Sequence, residues 1–526
     1  MRRRTVAALL ATTLATTTLF GGALNAYAAD YTRADADGVV VGILADPENM
    51  GPWSGRSQGR IAVLFSTYEY MITREDGNTY GVLAKNWEQI DTKTYDVELY
   101  DYIHDTEGNP LTASDIVFCF ETAIATKNYS KLEVIESVTA IDDYNVEFKF
   151  NKDLEMGEFE NVMLECAIVT QAAYEASADQ MATDPVGTTA YKVVSYVPGS
   201  ELTMEDTGDY WQTDESLVHG TSVHNADKIT FSVITEASQH TVALQTNAVD
   251  ISNGVPDTDI DKFAEGGEYS EGNAVSVVMD NLTYDLEYNM SDDSIFKDDL
   301  NLRQALAYSI DKEGVNIGAF NGNGVAVKDF ANASYGDYNA AWDEEDYYDY
   351  DADKAAELLV ASNYDGQSIR IMYITSTAMD AVAQMVLAYF NQIGVQAELV
   401  PYDSMMFQSA QYESTSYDVL LKNNGSTDYI VNQWKLCWDS RDFSDTTGGT
   451  ANFVQDETLD ELMQACLNTE TYSEETLDAF HDYLTEQCYG YGIVEGPINI
   501  VHSGYITDVA LDIRNQILPG ACEYAE

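Results

Sequence analysis

Residues 351–401 carry the pattern that most restricts the fold. Asp351 stands as an N-cap before the helical run Ala352-Asp353-Lys354-Ala355-Ala356-Glu357-Leu358-Leu359, which has an acid in its first turn. Residues 368–374 read as a strand. Residues 378–393 read as an amphipathic helix that stops at Gly394, the expected C′ residue. Residues 395–401 read as the next strand. Strand, helix and strand in this order imply a parallel sheet covered by helices. The chain has 526 residues, enough for two or three domains or one large two-lobed body. Its 45% hydrophobic and 11% aromatic content suffices for a packed core and argues against disorder.

Other elements are legible along the chain. Strands are expected at 37–44, 94–102, twice within 134–150, and at 228–234. Helices are expected at 60–72, 112–126 (with Thr112 or Ser114 as N-cap), 237–246 and 299–310. A hairpin is expected from Tyr191 onward, turning at Pro198-Gly199. No internal repeat and no low-complexity linker interrupts this order.

With 89 acidic and 26 basic residues, the formal charge is −63. A field of that sign repels nucleic acid and anionic membrane surfaces. It reads as a solvated acidic surface, or as attraction for a cationic ligand. The N-terminus has the form of an export signal: Arg2-Arg3-Arg4, an apolar stretch over 5–24, and the small-x-small site Ala26-Tyr27-Ala28. The mature chain is expected to begin near Ala29 or Asp30. No cysteine precedes Cys119, so no lipoprotein acylation is expected. No later segment is long and apolar enough to span a bilayer.

The segment DPVGTTAYKVVSYVPGSELTMEDTGDYW, residues 184–211, resembles the "PVGTGPYK…PG…DYW" segment of the extracytoplasmic solute-binding proteins that serve peptide and nickel ABC transporters (solute-binding family 5). Four further stretches are similar to that family in the same order. They are Gly81-Val82-Leu83-Ala84-Lys85-Asn86-Trp87-Glu88, the run Gly108 to Phe118 after His104-Asp105, Ala243 to Ile251, and Leu302 to Lys312. The resemblance implies an α/β fold: a two-lobed periplasmic binding protein, type II-like, with an extra inserted domain. It implies a signal peptide at 1–28, lobe one at 29–76, 184–290 and 499–526, an inserted domain at 77–183, and lobe two at 291–498. It also implies no enzymatic activity and no cofactor. The expected partners are a peptide or other small ligand and a membrane permease. A monomer outside the cytoplasm is expected, in the periplasm or at the cell surface.

The site residues follow from the same resemblance. Val419 to Trp438 holds Asp428-Tyr429, similar to the family's "GWxADYxDP", in which the Asp takes the ligand's α-ammonium. A partly desolvated carboxylate suits a primary ammonium, because charge-assisted hydrogen bonds are short and strong. The bland alternative is a loop-surface Asp. Gly425 stands where relatives place Trp, and no Pro follows Asp428-Tyr429. A nickel chelate, a sugar or another small ligand therefore stays open beside peptide. An extended ligand would pair with Asn424, Gly425 and Ser426 on one side. On the other it would meet the loop of Arg56, Ser57 and Gln58, where Gly55 and Gly59 allow close approach. Lys422 is read as a partner for a ligand carboxylate or as a solvent-facing amine. Trp434 is read as a pocket aromatic or as helix core.

Other motifs carry less. Gly55-Arg56-Ser57-Gln58-Gly59 matches the G-x-S-x-G nucleophile elbow, but it follows a loop where that motif needs a strand. The six histidines form no H-E-x-x-H, and His219 and His224 read as surface residues of a polar loop. Asp349, Asp351 and Asp353 imitate the start of an EF-hand, but Lys354 and Val360 occupy the Gly and Glu positions. The six cysteines fit no C-x-x-C motif, and Cys119 reads as a buried thiol.

Overall fold

The computed structural model describes residues 38–75, 77–425, 429–440 and 452–525. The export signal expected at 1–28 lies outside them. So do two candidate site residues, Ser426 and Asp428.

The main sheet has eleven strands and is shared by two lobes. In lobe one, Val39–Ile43 lies between Lys228–Val233 and Ile251–Ser252, parallel to both. The hairpin Tyr191–Val197 and Glu201–Asp206 extends this side antiparallel. In lobe two, Ile369–Ile374 lies between Ala397–Tyr402 and Val419–Asn424, parallel to both. Thus the parallel unit expected from residues 351–401 forms. Helix Thr377–Gln392 links its first two strands, started by Ser376 accepting from Met379 N. Asp351 caps Ala352–Ala361 by accepting from Lys354 N. Both lobes therefore carry parallel strands, of which the central ones, Val39–Ile43 and Ile369–Ile374, are mostly buried.

Two long strands, Asn273–Tyr288 and Gly490–Ser503, join the lobes and pair antiparallel. At one end His502 lies against Ile251 of lobe one. At the other, residues 283–288 pair with Val419–Asn424 of lobe two. The register shifts between Met279 and Thr283, opposite Glu495 and Pro497. A bulge of this kind bends and twists a strand, so the sheet changes direction where the lobes meet. Neither crossing strand was legible in the sequence.

The insert carries a separate four-stranded antiparallel sheet built from Ala84–Asp91, Thr94–Leu99, Asn145–Phe150 and Ile135–Ala140. Helix Ala113–Thr126 packs on it, opened by a Thr112–Asp115 capping box. Its core includes Cys119, Phe120, Phe148 and Phe150. The Cys119 thiol donates to the Val169 carbonyl at 3.1 Å. All six cysteines are buried free thiols.

The 184–211 segment packs onto the base of lobe one for a physical reason. Glu69, 1% exposed, accepts from Tyr210 Oη at 2.5 Å, Trp211 Nε1 at 2.9 Å and Ser222 Oγ at 3.1 Å. A Cβ on Gly187 would lie 2.2 Å from the Thr67 carbonyl oxygen, so only glycine fits that turn. The same anchoring ends the first helix early. It spans Gln58–Thr67 rather than the expected 60–72, because Tyr68 turns to an extended conformation and donates to the Met50 carbonyl at 2.7 Å. The chain then enters the hairpin Ile72–Glu75 and Asn78–Gly81.

Candidate ligand-binding site

A cavity of about 930 Å³ opens between the lobes. Val278 of the first crossing strand lines it. Lobe one contributes Gly220, Val223, Asn225 and residues of the 508–523 segment. The hairpin gives Arg74, Glu75, Gly77 and Asn78. Lobe two gives Ser334, Tyr335, Gly336, Asp337, Tyr429 and Tyr472. The hairpin tip and the lobe-two loop meet backbone to backbone: a Cβ on Gly336 would lie 2.3 Å from the Gly77 carbonyl oxygen.

The lining is acidic. Among the described lining residues are five acids, Glu75, Asp337, Asp508, Asp512 and Glu523, and one arginine, Arg74. Asp337 accepts from Tyr472 Oη at 2.6 Å and, with both oxygens at 3.2 Å, from Ile430 N. It thereby holds the start of helix Ile430–Trp438, and burial pushes its carboxyl above the usual range. Burial also raises Asp512 to about 6, against the backbone N–H groups of Gln516 and Arg514. Glu495, on the second crossing strand, is pushed by burial to about 7. Carboxyl groups held above their ordinary range are those that a cationic ligand would restore to the charged form.

The structure separates the candidate residues. Tyr429 lines the interlobe cavity, its ring 5.5 Å from that of Tyr472. Lys422 and Asn424 line a smaller pocket of about 320 Å³ in lobe two, with Gln408, Gln411, Met379 and Leu436 among its walls. Gly425 follows at the end of the strand Val419–Asn424. Arg56, Ser57 and Gln58 are not among the residues lining the interlobe cavity. Arg56 turns to the insert and pairs with Glu165 at 2.6 Å. Ser57 is the N-cap of Gln58–Thr67, accepting from Arg60 N at 3.4 Å, and Gln58 is exposed in the first turn. Arg60 holds the preceding loop by donating to the carbonyls of Asn49, Gly51 and Pro52. Ser57 thus sits in a helix cap after a loop, without the strand that a nucleophile elbow requires.

Of the two readings of Trp434, the structure bears out helix core, while both readings of Lys422 are corrected. Trp434 is fully buried and stacks on Phe480 at 4.6 Å, so it belongs to the core of lobe two. Its position on the apolar stripe of an amphipathic helix outweighs any pocket role. Lys422 does not point an unpaired ammonium at a ligand. Its Nζ lies 3.1 Å from Oε1 of Glu287, a fully buried carboxylate on the crossing strand. Sequence missed Glu287 and its neighbour Asp285, because no local motif marks them.

The histidines divide as well. His219 stacks on Tyr80 at 4.0 Å and lies 3.4 Å from Glu75, and His224 lies 2.9 Å from Asp206. His240, His481 and His502 are buried. Glu345, His481 and Asp482 come within reach of one ion, but both ring nitrogens of His481 are engaged, by Asp329 and Asp482. Asp351 is spent on its helix cap.

Two α/β lobes joined by a pair of long strands beside a cavity define a two-lobed binding protein. The profile of the bacterial extracellular solute-binding proteins, family 5 (middle region), matches residues 78–443, and the chain belongs to that family. It is 26% identical over 356 residues to the dipeptide-binding protein of Escherichia coli (strain K12), covering 61% of this chain and 63% of that relative. The chain thus spans under two thirds of that relative's length. It is 22% identical to the nickel-binding protein NikA of Staphylococcus aureus (strain NCTC 8325 / PS 47), covering 69% and 70%. In three dimensions it is similar to the ABC transporter substrate-binding protein CtaP of Listeria monocytogenes, with a TM-score of 0.74 at 20% identity over 93% of this chain and 99% of that one. The family is one of binding proteins, not of enzymes. Among the described residues, no helix is long and apolar enough to cross a membrane.

Proposed function

We propose that the chain is the extracytoplasmic substrate-binding component of an ABC importer, exported by its N-terminal signal. It captures a peptide or other amine-bearing ligand between its lobes, as a monomer, and delivers it to a membrane permease. The domain limits set out from the sequence belong to this proposal. The observation that carries it is the cavity between the lobes, whose described lining holds five acidic residues and one arginine. Such a lining favours a cationic group and repels an anionic one. Relatives that bind dipeptides and nickel support a small ligand.

The ligand's ammonium is assigned to Asp428, which directly precedes the cavity-lining Tyr429. Removing that carboxylate leaves the ammonium poorly paired, at a cost of about 2–5 kcal/mol. Native mass spectrometry of the purified protein identifies co-purified ligands, and calorimetry then compares wild type with Asp428→Asn. Binding at least tens of times weaker is expected, with little change in folding. Unchanged affinity would sink the assignment and move a nickel chelate or a sugar ahead of peptide.

A further inference from the structure

Asp285 and Glu287 lie two residues apart on the first crossing strand, so both face the same side of the sheet, and both are fully buried. The neighbouring strand presents Lys422 opposite Asp285 and Asn424 opposite Thr283. Asn424 Nδ2 donates to Asp285 Oδ1 at 3.1 Å and Oδ2 at 3.0 Å, and to Glu287 Oε1 at 2.8 Å. Lys422 Nζ donates to Glu287 Oε1 at 3.1 Å, and Asn452 Nδ2 to Oε2 at 3.2 Å. The Asn424 carbonyl in turn accepts from Gln433 Nε2 at 3.4 Å. One end of this cluster is the strand that links the lobes. The other is the last residue of Val419–Asn424, which leads through Gly425 toward cavity-lining Tyr429 and itself lines the lobe-two pocket.

Charge decides the state of the cluster. Two carboxylates and one ammonium leave a net negative charge in a dry interior, which is strongly unfavourable. A retained proton removes it. Burial, then the charge of Glu287, push Asp285 well above the carboxylate range, and Lys422 only partly opposes them. Asp285 is thereby pushed toward its neutral form. The titratable groups facing it are Glu287 on its own strand, Lys422 on the next strand and the Cys437 thiol on helix Ile430–Trp438. The strand on its other side places Gly492 opposite Asp285 and Gly490 opposite Glu287.

We propose that Asp285, Glu287 and Asn424 are positioning residues that pin the pocket-lining end of Val419–Asn424 to the interlobe strand. Only its meaning for ligand capture rests on the proposed function.

The test is amide hydrogen exchange of the ligand-free protein over residues 420–425, between pH 5 and pH 8. Asp285 has a folded pKa above its unfolded one, so the pinned arrangement holds a proton that an opened one releases. Protection, corrected for intrinsic exchange, should then fall as pH rises from the ordinary carboxylate range, by up to about tenfold per pH unit until Asp285 itself ionises. Asp285→Asn cannot lose the proton and should stay protected and flat with pH. Asn424→Ala should lose protection at every pH while strands of lobe one keep theirs. The same fall with pH in Asp285→Asn as in wild type, or full protection in Asn424→Ala, would overturn the proposal. A calorimetric titration with trialanine is run beside it. Weaker trialanine binding in Asn424→Ala supports the link to capture, whereas no binding by wild type counts against trialanine as ligand and leaves the exchange result to decide the pinning.

Discussion

Lobe one and lobe two each bury a carboxylate centre, and they satisfy it differently. Glu69 meets three neutral donors, the Tyr210 hydroxyl, the Trp211 indole and the Ser222 hydroxyl. Its carboxyl is raised by burial against those hydrogen bonds. Asp285 and Glu287 instead meet an ammonium and two amide side chains. Neutral donors fix geometry with little sensitivity to pH in the donors themselves. A charged partner makes the centre depend on which groups hold protons. The lobe-one centre reads as a rigid joint. The lobe-two centre lies beside the segment assigned to the ligand.

The largest expected effect strips lobe two of its cation. Lys422→Met leaves the buried Glu287 carboxylate without its ammonium and should cost about 3–5 kcal/mol. Urea unfolding followed by the buried Trp434 and Trp438 reads it, and adding Glu287→Gln should restore much of the loss. A loss that Glu287→Gln does not relieve would break the charged description of this lobe. Glu69→Gln probes the neutral centre. It turns an amide group toward donors that need an acceptor, and should cost about 1–3 kcal/mol. An effect as large as that of Lys422→Met would erase the contrast between the lobes.

A smaller effect comes from Lys312, whose Nζ donates to the Val327 carbonyl at 2.9 Å and lies 4.5 and 4.7 Å from the Tyr347 and Tyr491 rings. Burial lowers it from 10.5 to about 7. Between those values the unfolded chain binds more protons, so stability from this group rises with pH, by at most about 1.4 kcal/mol from pH 7 to pH 8. His481, raised by its carboxylate partners, works in the opposite sense: its contribution is full below 6.5 and is lost as pH rises through its folded value. The difference between wild type and Lys312→Met therefore isolates the lysine, and equal pH profiles would refute the assignment. The smallest effect belongs to lobe one. Ser57→Ala should lose only about 0.5 kcal/mol, since its capping bond is long at 3.4 Å, and should abolish no hydrolytic activity. Loss of a measured esterase activity in this variant would contradict the capping role.

Much of the fold was legible locally. The helix caps at Thr112 and Asp351, the Pro198-Gly199 hairpin and the parallel unit all form close to where spacing put them. The first helix was overextended, because a buried tyrosine and glutamate stop it and neither leaves a local mark. Of the candidate site, Tyr429 lines the interlobe cavity, while Asp428 lies outside the described residues. Trp434 went to the core and Lys422 to a buried ion pair. A helical stripe shows which residues turn inward, but not whether the inside is core or cleft.

The sequence by itself determined the α/β class, the family-like order of its segments and the hairpin turning at Pro198-Gly199. Those properties rest on hydrophobic period and turn chemistry, which act over a few residues. Only the tertiary structure decided that Asp285 and Glu287 meet Lys422 and Asn424, and that the interlobe cavity is walled by segments as distant as Arg74, Asp337 and Asp512. Those partners come together because two long strands cross between the lobes, and a register set across such distances leaves no trace in local composition.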